Sequence, residues 1–265
     1  MLKEYNIEET SKLKTKEIKK ISDEISDNEY LEFVSIFRGD ERKSVQSICD
    51  RLIKKLEKIR LEDERLERMN SYEDSAYNEG FIYVGGVDEA GRGPLAGPVV
   101  AAVVVFDKHT KISGVNDSKK LSEAKRNELY KEIIENAKDY GIGMADNKEI
   151  DKYNILNATY MAMRRAISNL KNAPDCLLND AVRIPGVDVK QVSIIQGDAK
   201  SISIAAASIL AKVTRDQMMY EYDELYPGYS FSSNKGYGTT DHYNGIRNQG
   251  ITPIHRHSFL KNFEY

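Results

Sequence analysis

The residues with the clearest chemical potential lie where an apolar strand runs into a glycine-rich corner. Two adjacent carboxylates, Asp88 and Glu89, follow the apolar run, and the turn Gly91-Arg92-Gly93 comes directly after them. A carboxylate at the end of a strand is held by the rigid sheet and can therefore fix a metal ion. The turn places backbone amides beside a planar cation, which suits close contact with a polynucleotide. The alternative for the Asp-Glu pair alone is a tight turn with solvated charges.

A dinucleotide-binding loop is a second alternative for the same glycines. That motif requires the pattern G-x-G-x-x-G at the start of a helix. Here Pro94 and Pro98 interrupt the register, so the sequence disfavours a dinucleotide site.

Two further acids occupy similar positions later in the chain. Asp180 follows the apolar run that begins at Cys176, and Asp198 stands just before a helix rich in small residues. Asp198 could equally be the N-cap of that helix. Together with Asp88 and Glu89, these acids form an oxygen-only ligand set, which favours Mg²⁺ or Mn²⁺ over zinc. Two such ions could activate water and stabilise the leaving oxygen in phosphodiester cleavage.

Other segments are suited to contact with a nucleic acid. The loop around Ser118 and Lys119 offers ligands for phosphate, although it could also be a plain loop that leads into a helix. Tyr237 stands between two glycines, so its ring can lie flat against a sugar or base. The run His255-Arg256-His257 adds positive potential near the C-terminus; a histidine there could equally be an ordinary surface residue.

These groups must be positioned by an alternation of strands and helices. From Phe81 onward the pattern predicts strands over 81–87 and 99–106, then shorter strands near 140–145, 175–179 and 191–196. Helical spacing is found over 122–138, 155–170 and 201–226. Strands interleaved with helices predict an α/β layer fold.

The first eighty residues differ in character from the rest. They contain no proline and only Gly39 and Gly80 among the 17 glycines of the chain. The apolar residues between Val45 and Ile59 follow the three-and-four spacing of an amphipathic helix. We therefore expect a helical N-terminal extension over residues 1–70, a linker over 71–80 and a catalytic domain over 81–265.

Composition narrows the class of protein. The chain has 265 residues and a formal net charge of −3, which argues against a protein that simply coats nucleic acid. Its longest apolar run, from Val99 to Phe106, is far too short to span a membrane. No apolar segment of a signal peptide follows Met1, and the two cysteines are not in metal-type spacing. We expect a cytoplasmic, monomeric protein with free thiols and no membrane contact.

Between residues 81 and 260 the motifs closely resemble those of the bacterial ribonuclease HII family. The matching blocks are Val87–Val99, Asn116–Leu121, Gly197-Asp198, Ala205–Asp216, Lys235–Tyr237 and Pro253–Arg256. Two positions depart from the family pattern. Asn179 stands where an apolar residue is usual, and Gln196 stands where lysine is usual.

The resemblance implies a fold, a site and an activity. The fold would be ribonuclease H-like, with a five-stranded mixed sheet flanked by helices. Asp88, Glu89, Asp180 and Asp198 would bind Mn²⁺ or Mg²⁺. Gly91, Arg92 and Gly93 would read a ribonucleotide 2′-hydroxyl, Tyr237 would stack on the next sugar, and Ser118 and Lys119 would contact phosphates. The substrates would be RNA/DNA hybrids and duplex DNA that contains ribonucleotides.

Two rival functions are consistent with parts of this pattern. A nuclease of the same fold that acts on DNA junctions would not need the Gly91-Arg92-Gly93 turn or the stacking tyrosine. A non-catalytic module that binds hybrids would not need the four carboxylates, which weaken binding near phosphates unless a metal neutralises them.

Overall fold

The computed structural model describes residues 12–261, and the chain divides after Arg65 into two units. The helices in chain order are α1 (Thr15–Glu24), α2 (Tyr30–Phe37), α3 (Lys43–Met69), α4 (Ser71–Asn78), α5 (Glu123–Asn136), α6 (Asn147–Ser168), α7 (Ile202–Leu225), α8 (Phe231–Asn234) and α9 (Thr240–Gln249). The strands are β1 (Val84–Ala90), β2 (Val99–Val105), β3 (Asp139–Ala145), β4 (Cys176–Asp180) and β5 (Lys190–Ile194).

The first unit is built from helices in the part of the chain that the structure describes. Side chains of α1, α2 and the first half of α3 form its core, with Ile18, Phe33, Phe37 and Leu52 fully or almost fully buried. The amphipathic spacing over this part of α3 is the pattern that burial on one side requires. The prediction of a helical N-terminal extension is confirmed.

The second unit contains a mixed five-stranded sheet in the order β3-β2-β1-β4-β5. Strand β1 lies at its centre, antiparallel to β2 and parallel to β4. Strand β2 is buried along its whole length because helices cover both faces of the sheet. Alternate residues of β2 join two cores, one with α5 and α7 and the other with α6. The predicted α/β fold with a five-stranded mixed sheet is confirmed.

The segment predicted as a linker, residues 71–80, is mostly helix α4 instead. Its apolar side chains Tyr72, Ala76 and Tyr77 pack in one cluster with Val84 of β1 and Cys176 of β4. A second difference is that β1 begins at Val84, three residues later than predicted, and runs to Ala90. Asp88 and Glu89 therefore lie within β1, where backbone pairing with β2 fixes their positions.

Both cysteines, Cys49 and Cys176, are buried free thiols, as the sequence predicts. Among the described residues, none of the helices combines the length and apolar character needed to cross a membrane.

Candidate functional site

The acids singled out from the sequence meet at one end of the sheet. In the parallel pairing of β1 with β4, Val87 lies opposite Asn179, so Asp88 and Asp180 follow on neighbouring strands. Such strands are about 4.8 Å apart. Glu89 comes next on β1.

The turn Gly197–Ala199, a short 3₁₀ segment, adds the remaining acid. The Gly197 amide donates a hydrogen bond to Asp180 Oδ1 at 2.7 Å, which fixes Asp198 beside β4. The alternative role of Asp198 as a helix N-cap does not hold. Ser201 caps α7, and its Oγ accepts from the Ile204 amide.

Burial makes the negative charges of this cluster costly. Asp88 is 6% exposed. Burial, and then the charges of Glu89 and Asp180, raise its pKa well above the usual value. The pKa of Glu89 is also raised by burial, against the opposing effect of Arg92 at 3.2 Å. The pKa of Asp198 is raised by burial and by the carboxylates of Asp117 and Asp180. A divalent cation would offset the burial and mutual repulsion of these carboxylates, and their oxygen atoms are ligands that Mg²⁺ and Mn²⁺ accept.

The individual carboxylates have protein partners of their own. Asp88 Oδ1 accepts a hydrogen bond from the Glu89 amide at 2.7 Å. Asp180 accepts one from the Gly197 amide, and Glu89 accepts one from the Arg92 guanidinium. No three Asp, Glu, His or Cys side chains within residues 12–261 converge as a ready-made metal cage. The fit to a metal therefore depends on the chemistry and mutual repulsion of the donors.

Helix α7 and the loop after β2 supply polar neighbours for Asp88. Ser208 of α7 hydrogen-bonds to Asp88, and its hydroxyl lies 3.0 Å from that of Ser118, which is buried. Burial alone would lower the pKa of Lys119, but the surrounding carboxylates, Asp117 and Asp198 foremost, outweigh it and raise the pKa. Lys119 is therefore a stable cation at the edge of the acidic cluster.

A cleft of about 450 Å³ joins Glu89, one of the four acids, to the other predicted groups. Predicted site residues on its walls are Glu89, Gly91, Arg92, Gly93, Ser118, Lys119 and Tyr237. Tyr237 is 48% exposed, and a Cβ added at Gly93 would lie 3.4 Å from its Cε1 atom. The turn and the tyrosine are thus neighbours across the same opening.

Two buried arginines that sequence reasoning missed hold these walls together. Arg256 donates to the carbonyls of Gly91, Arg92 and Gly97, with distances of 2.6, 2.9 and 2.9 Å. Arg215 donates to the carbonyls of Ala96, Pro98 and Lys235. Burial lowers their pKa values to about 9 for Arg256 and about 10 for Arg215, so both stay cationic at neutral pH.

The sequence carried a partial signal for each arginine. Arg215 lies seven residues after Ser208, on the side of α7 that faces the sheet. The run His255-Arg256-His257 is predicted to add positive potential, but Arg256 is fully buried. The alternative of an ordinary surface residue is wrong for His255, which is buried and has its pKa lowered to about 4, mainly by burial.

The two departures from the family pattern differ in their surroundings. The buried Asn179 side chain donates from Nδ2 to Gln191 Oε1 at 2.9 Å. Gln196 has a φ of 58° in the turn that leads to Asp198.

A pair of buried histidines sets the position of the Tyr237 backbone. The Thr252 amide donates to His255 Nδ1 at 2.8 Å, so the proton of neutral His255 is on Nε2. That proton is donated to His242 Nε2 at 2.9 Å, which leaves His242 with its proton on Nδ1. His242 Nδ1 then donates to the Tyr237 carbonyl at 2.9 Å. Neutral histidines are therefore required for this chain of hydrogen bonds.

Acid should weaken this network. The pKa of His255 is about 4 in the folded protein against 6.5 for the free side chain. The stability that neutral His255 contributes is complete above pH 6.5 and is lost as the pH falls toward 4. Between pH 7.5 and 5 we expect the free energy of unfolding of the wild type to lose about 2 kcal/mol from this residue.

Urea unfolding at both pH values would measure the loss, with His255→Gln lacking that part of the pH dependence. His257→Gln, at an exposed neighbouring position, is the matched control. Equal pH dependence in the wild type and His255→Gln would contradict the assignment.

Family models and curated relatives match most of the chain. The family model described as "Ribonuclease HII" matches residues 85–262, and a model described as "Ribonuclease HII N-terminal domain" matches residues 14–77. The chain is 63% identical to a ribonuclease HII of Clostridioides difficile, covering 93% of this chain and 97% of that protein. It is 51% identical to a ribonuclease HII of Ruminiclostridium cellulolyticum, covering 95% and 98%.

A solved structure agrees with the fold. The ribonuclease H2 of Pyrococcus horikoshii matches with a TM-score of 0.56 and 29% identity. The match covers 67% of this chain and 93% of that one.

Proposed function

Because this chain belongs to the ribonuclease HII family, and is therefore a hydrolytic endoribonuclease that acts on the RNA of RNA/DNA hybrids, we propose a narrower specificity for it. It cuts duplex DNA on the 5′ side of a single embedded ribonucleotide and leaves 3′-hydroxyl and 5′-phosphate ends. The observation that carries this proposal is the shared cleft, in which the Gly91-Arg92-Gly93 turn and the exposed Tyr237 adjoin Glu89 of the acidic cluster.

The Gly91-Arg92-Gly93 turn is proposed to recognise the 2′-hydroxyl. That hydroxyl distinguishes RNA from DNA at a given site. Arg256 binds the carbonyls of Gly91 and Arg92 from inside the protein, so the turn is held rigid before a substrate arrives. A site built to hydrogen-bond a hydroxyl rejects the analogue without it by about 10⁴–10⁵-fold.

Tyr237 is proposed to select the next sugar. Its ring adjoins the turn, and its backbone is fixed by His242 and by the pairing of Leu95 with Gly236 at 2.8 Å. A ring that packs flat on a deoxyribose would clash with a 2′-hydroxyl at that position. The junction from RNA to DNA is therefore preferred over continuous RNA.

The acids are proposed to hold the metal. Enzymes of this family depend on divalent metal, and here Asp88, Glu89, Asp180 and Asp198 would bind it. Two bound ions, Mg²⁺ or Mn²⁺, would supply an activated water and stabilise the departing 3′-oxygen. Lys119 and Ser118 are proposed to contact phosphates.

The rival functions are less consistent with this site. A nuclease for DNA junctions has no use for an anchored turn that reads a hydroxyl. A module that only binds hybrids would be weakened by acids whose pKa values are raised by burial and then by their mutual repulsion. The proposal also includes a monomer, because every group of the proposed site comes from one chain. It includes a cytoplasmic location, because free thiols are typical of a reducing compartment.

Cleavage mapping tests the specificity. Matched duplexes with no ribonucleotide, one ribonucleotide or a run of four are incubated with Mg²⁺ or Mn²⁺. We expect a single cut on the 5′ side of the lone ribonucleotide and no cleavage of the all-DNA duplex. Equal rates on all three duplexes, or cuts away from the ribonucleotide, would overturn the proposal.

Replacing Tyr237 by alanine should remove the preference for the junction. The single-ribonucleotide duplex should be cut about 10-fold or more slowly, since stacking on an aromatic ring contributes about 1–3 kcal/mol. Metal binding should be retained. Tyr140→Ala, on the exposed edge strand β3, is the control and should behave as the wild type. If the ratio of the rates on the single-ribonucleotide and four-ribonucleotide duplexes is the same in Tyr237→Ala as in the wild type, this role is excluded.

A further inference from the structure

A buried carboxylate outside the cleft is the least expected polar group in the second unit. Glu73 of α4 is 4% exposed. Its Oε1 atom accepts hydrogen bonds from the hydroxyls of Ser201 and Ser203 and from the Ser203 amide, the last at 3.0 Å. Its Oε2 atom is buried and has no hydrogen-bond partner within the described chain. Burial raises the pKa of this carboxyl.

These bonds connect Glu73 to the acidic cluster through Ser201. The Ser201 amide donates to the Gly197 carbonyl at 2.8 Å. The Gly197 amide in turn donates to Asp180 Oδ1 at 2.7 Å. Asp198 is the residue directly after Gly197. A short, continuous path of hydrogen bonds therefore joins Glu73 to the turn that carries Asp198 and donates to Asp180.

Ser203 connects Glu73 to the central strand by packing. A Cβ added at Gly86 would lie 2.2 Å from the Ser203 carbonyl carbon, so the backbones of α7 and β1 are in direct contact at this point. Gly86 precedes Asp88 by two residues. Because the two backbones touch without an intervening side chain, a shift of the start of α7 must be transmitted to Asp88.

From this geometry we propose that Glu73 is a positioning residue for the acidic site. It fixes the start of α7 against both β1 and the 197–199 turn, and thereby sets the separation of Asp88, Asp180 and Asp198. It touches neither substrate nor metal. The inference rests on the proposed function, in which those acids bind the metal.

The test compares Glu73→Ala, Glu73→Gln and Ser203→Ala with a matched control. Glu79→Ala is that control, because Glu79 is an exposed glutamate just after α4 whose ion pair is a 4.0 Å contact with Lys190. For each full-length protein, Mn²⁺ binding is measured by calorimetry without substrate. The kcat and KM are measured on the duplex with one ribonucleotide, and the melting temperature is recorded.

Glu73→Ala should weaken Mn²⁺ binding and lower kcat, each by about 10-fold, the lower end of the loss for a direct partner of a metal ligand, because Glu73 acts through Ser201 and Gly197. The KM for the duplex should stay within about twofold, since the cleft residues are not altered. Glu73→Gln retains the acceptor Oε1 and should restore most of both values. Ser203→Ala removes one of the three hydrogen bonds to Oε1, because the Ser203 amide remains, and should show a smaller loss of the same kind.

A purely structural role predicts a different result. If folded Glu73→Ala has a lower melting temperature but wild-type kcat and Mn²⁺ affinity, the proposal is overturned. If Glu73→Ala does not fold, Ser203→Ala provides the test. Wild-type kcat and wild-type Mn²⁺ affinity in Ser203→Ala would then overturn the proposal. Failure of the proposed site itself is recognised separately, because Asp88→Asn would then bind Mn²⁺ as well as the wild type.

Discussion

Asp88→Asn should abolish cleavage while the protein stays folded. Asp88 is the most deeply buried of the proposed ligands on β1, and an amide is a much weaker ligand for Mg²⁺ than a carboxylate. We expect the rate on the single-ribonucleotide duplex to fall by more than about 10²-fold, beyond the usual cost of losing an outer-layer partner of a metal. Steady-state cleavage at saturating Mg²⁺ measures the loss.

The same variant should be more stable than the wild type without metal. The folded-state pKa of Asp88 is raised, chiefly by burial, so its ionisation destabilises the wild-type fold as the pH rises above the unfolded pKa. Asparagine removes that charge, and the gain in melting temperature in a chelating buffer should be larger at pH 8 than at pH 5.

Asp188→Asn is the control, because this exposed aspartate lies in the loop before β5 and the substitution makes the same change in net charge. Substantial turnover by Asp88→Asn at ordinary Mg²⁺ would remove Asp88 from the mechanism.

Gly91→Ala should disable recognition of the ribonucleotide. Gly91 has a φ of +91°, and a Cβ there would lie 2.0 Å from Arg215 Nε. The added methyl group must displace either the turn or the guanidinium that holds three neighbouring carbonyls. Because a displacement of about 1 Å can cost about 10²-fold in rate, we expect a loss of that order on the single-ribonucleotide duplex. Rates and urea unfolding are measured together.

Gly80→Ala is the control that separates the effect of backbone strain from the steric collision of the added methyl group. Gly80 also has a positive φ, +99°, but open space surrounds the position of its Cβ. It should therefore lose some stability and keep the wild-type rate. A wild-type rate in Gly91→Ala would show that the turn tolerates movement and is not the reader of the hydroxyl.

The sheet and the place of its acids were predictable because their signals are local. An apolar run that ends in an acid indicates a strand end, and two such runs on parallel strands bring Asp88 and Asp180 together. The motifs around Gly91 and Tyr237 are equally local, since glycines beside a functional side chain are visible in a few residues of sequence.

The supports of the site were not predictable in this way. Glu73 bonds to residues 128 and 130 positions away, and its own segment is polar enough to suggest a linker. Arg256 stands between two histidines, so its local composition suggests a surface. A buried arginine is stabilised by backbone carbonyls that only the folded chain assembles. No periodicity in the sequence records where those carbonyls will be.

The bonds of Arg256 also have a consequence for the order of folding. Its partners Arg92 and Gly91 lie 164 and 165 residues earlier in the chain. Contacts across such distances form late, because the entropy of closing the intervening loop must be lost before the contact energy is gained. During synthesis, β1 emerges with its acids long before Arg256 exists. Asp88 and Glu89 are thus made early, but the turn proposed to read the 2′-hydroxyl is fixed only when the segment carrying Arg256 has been translated and has docked.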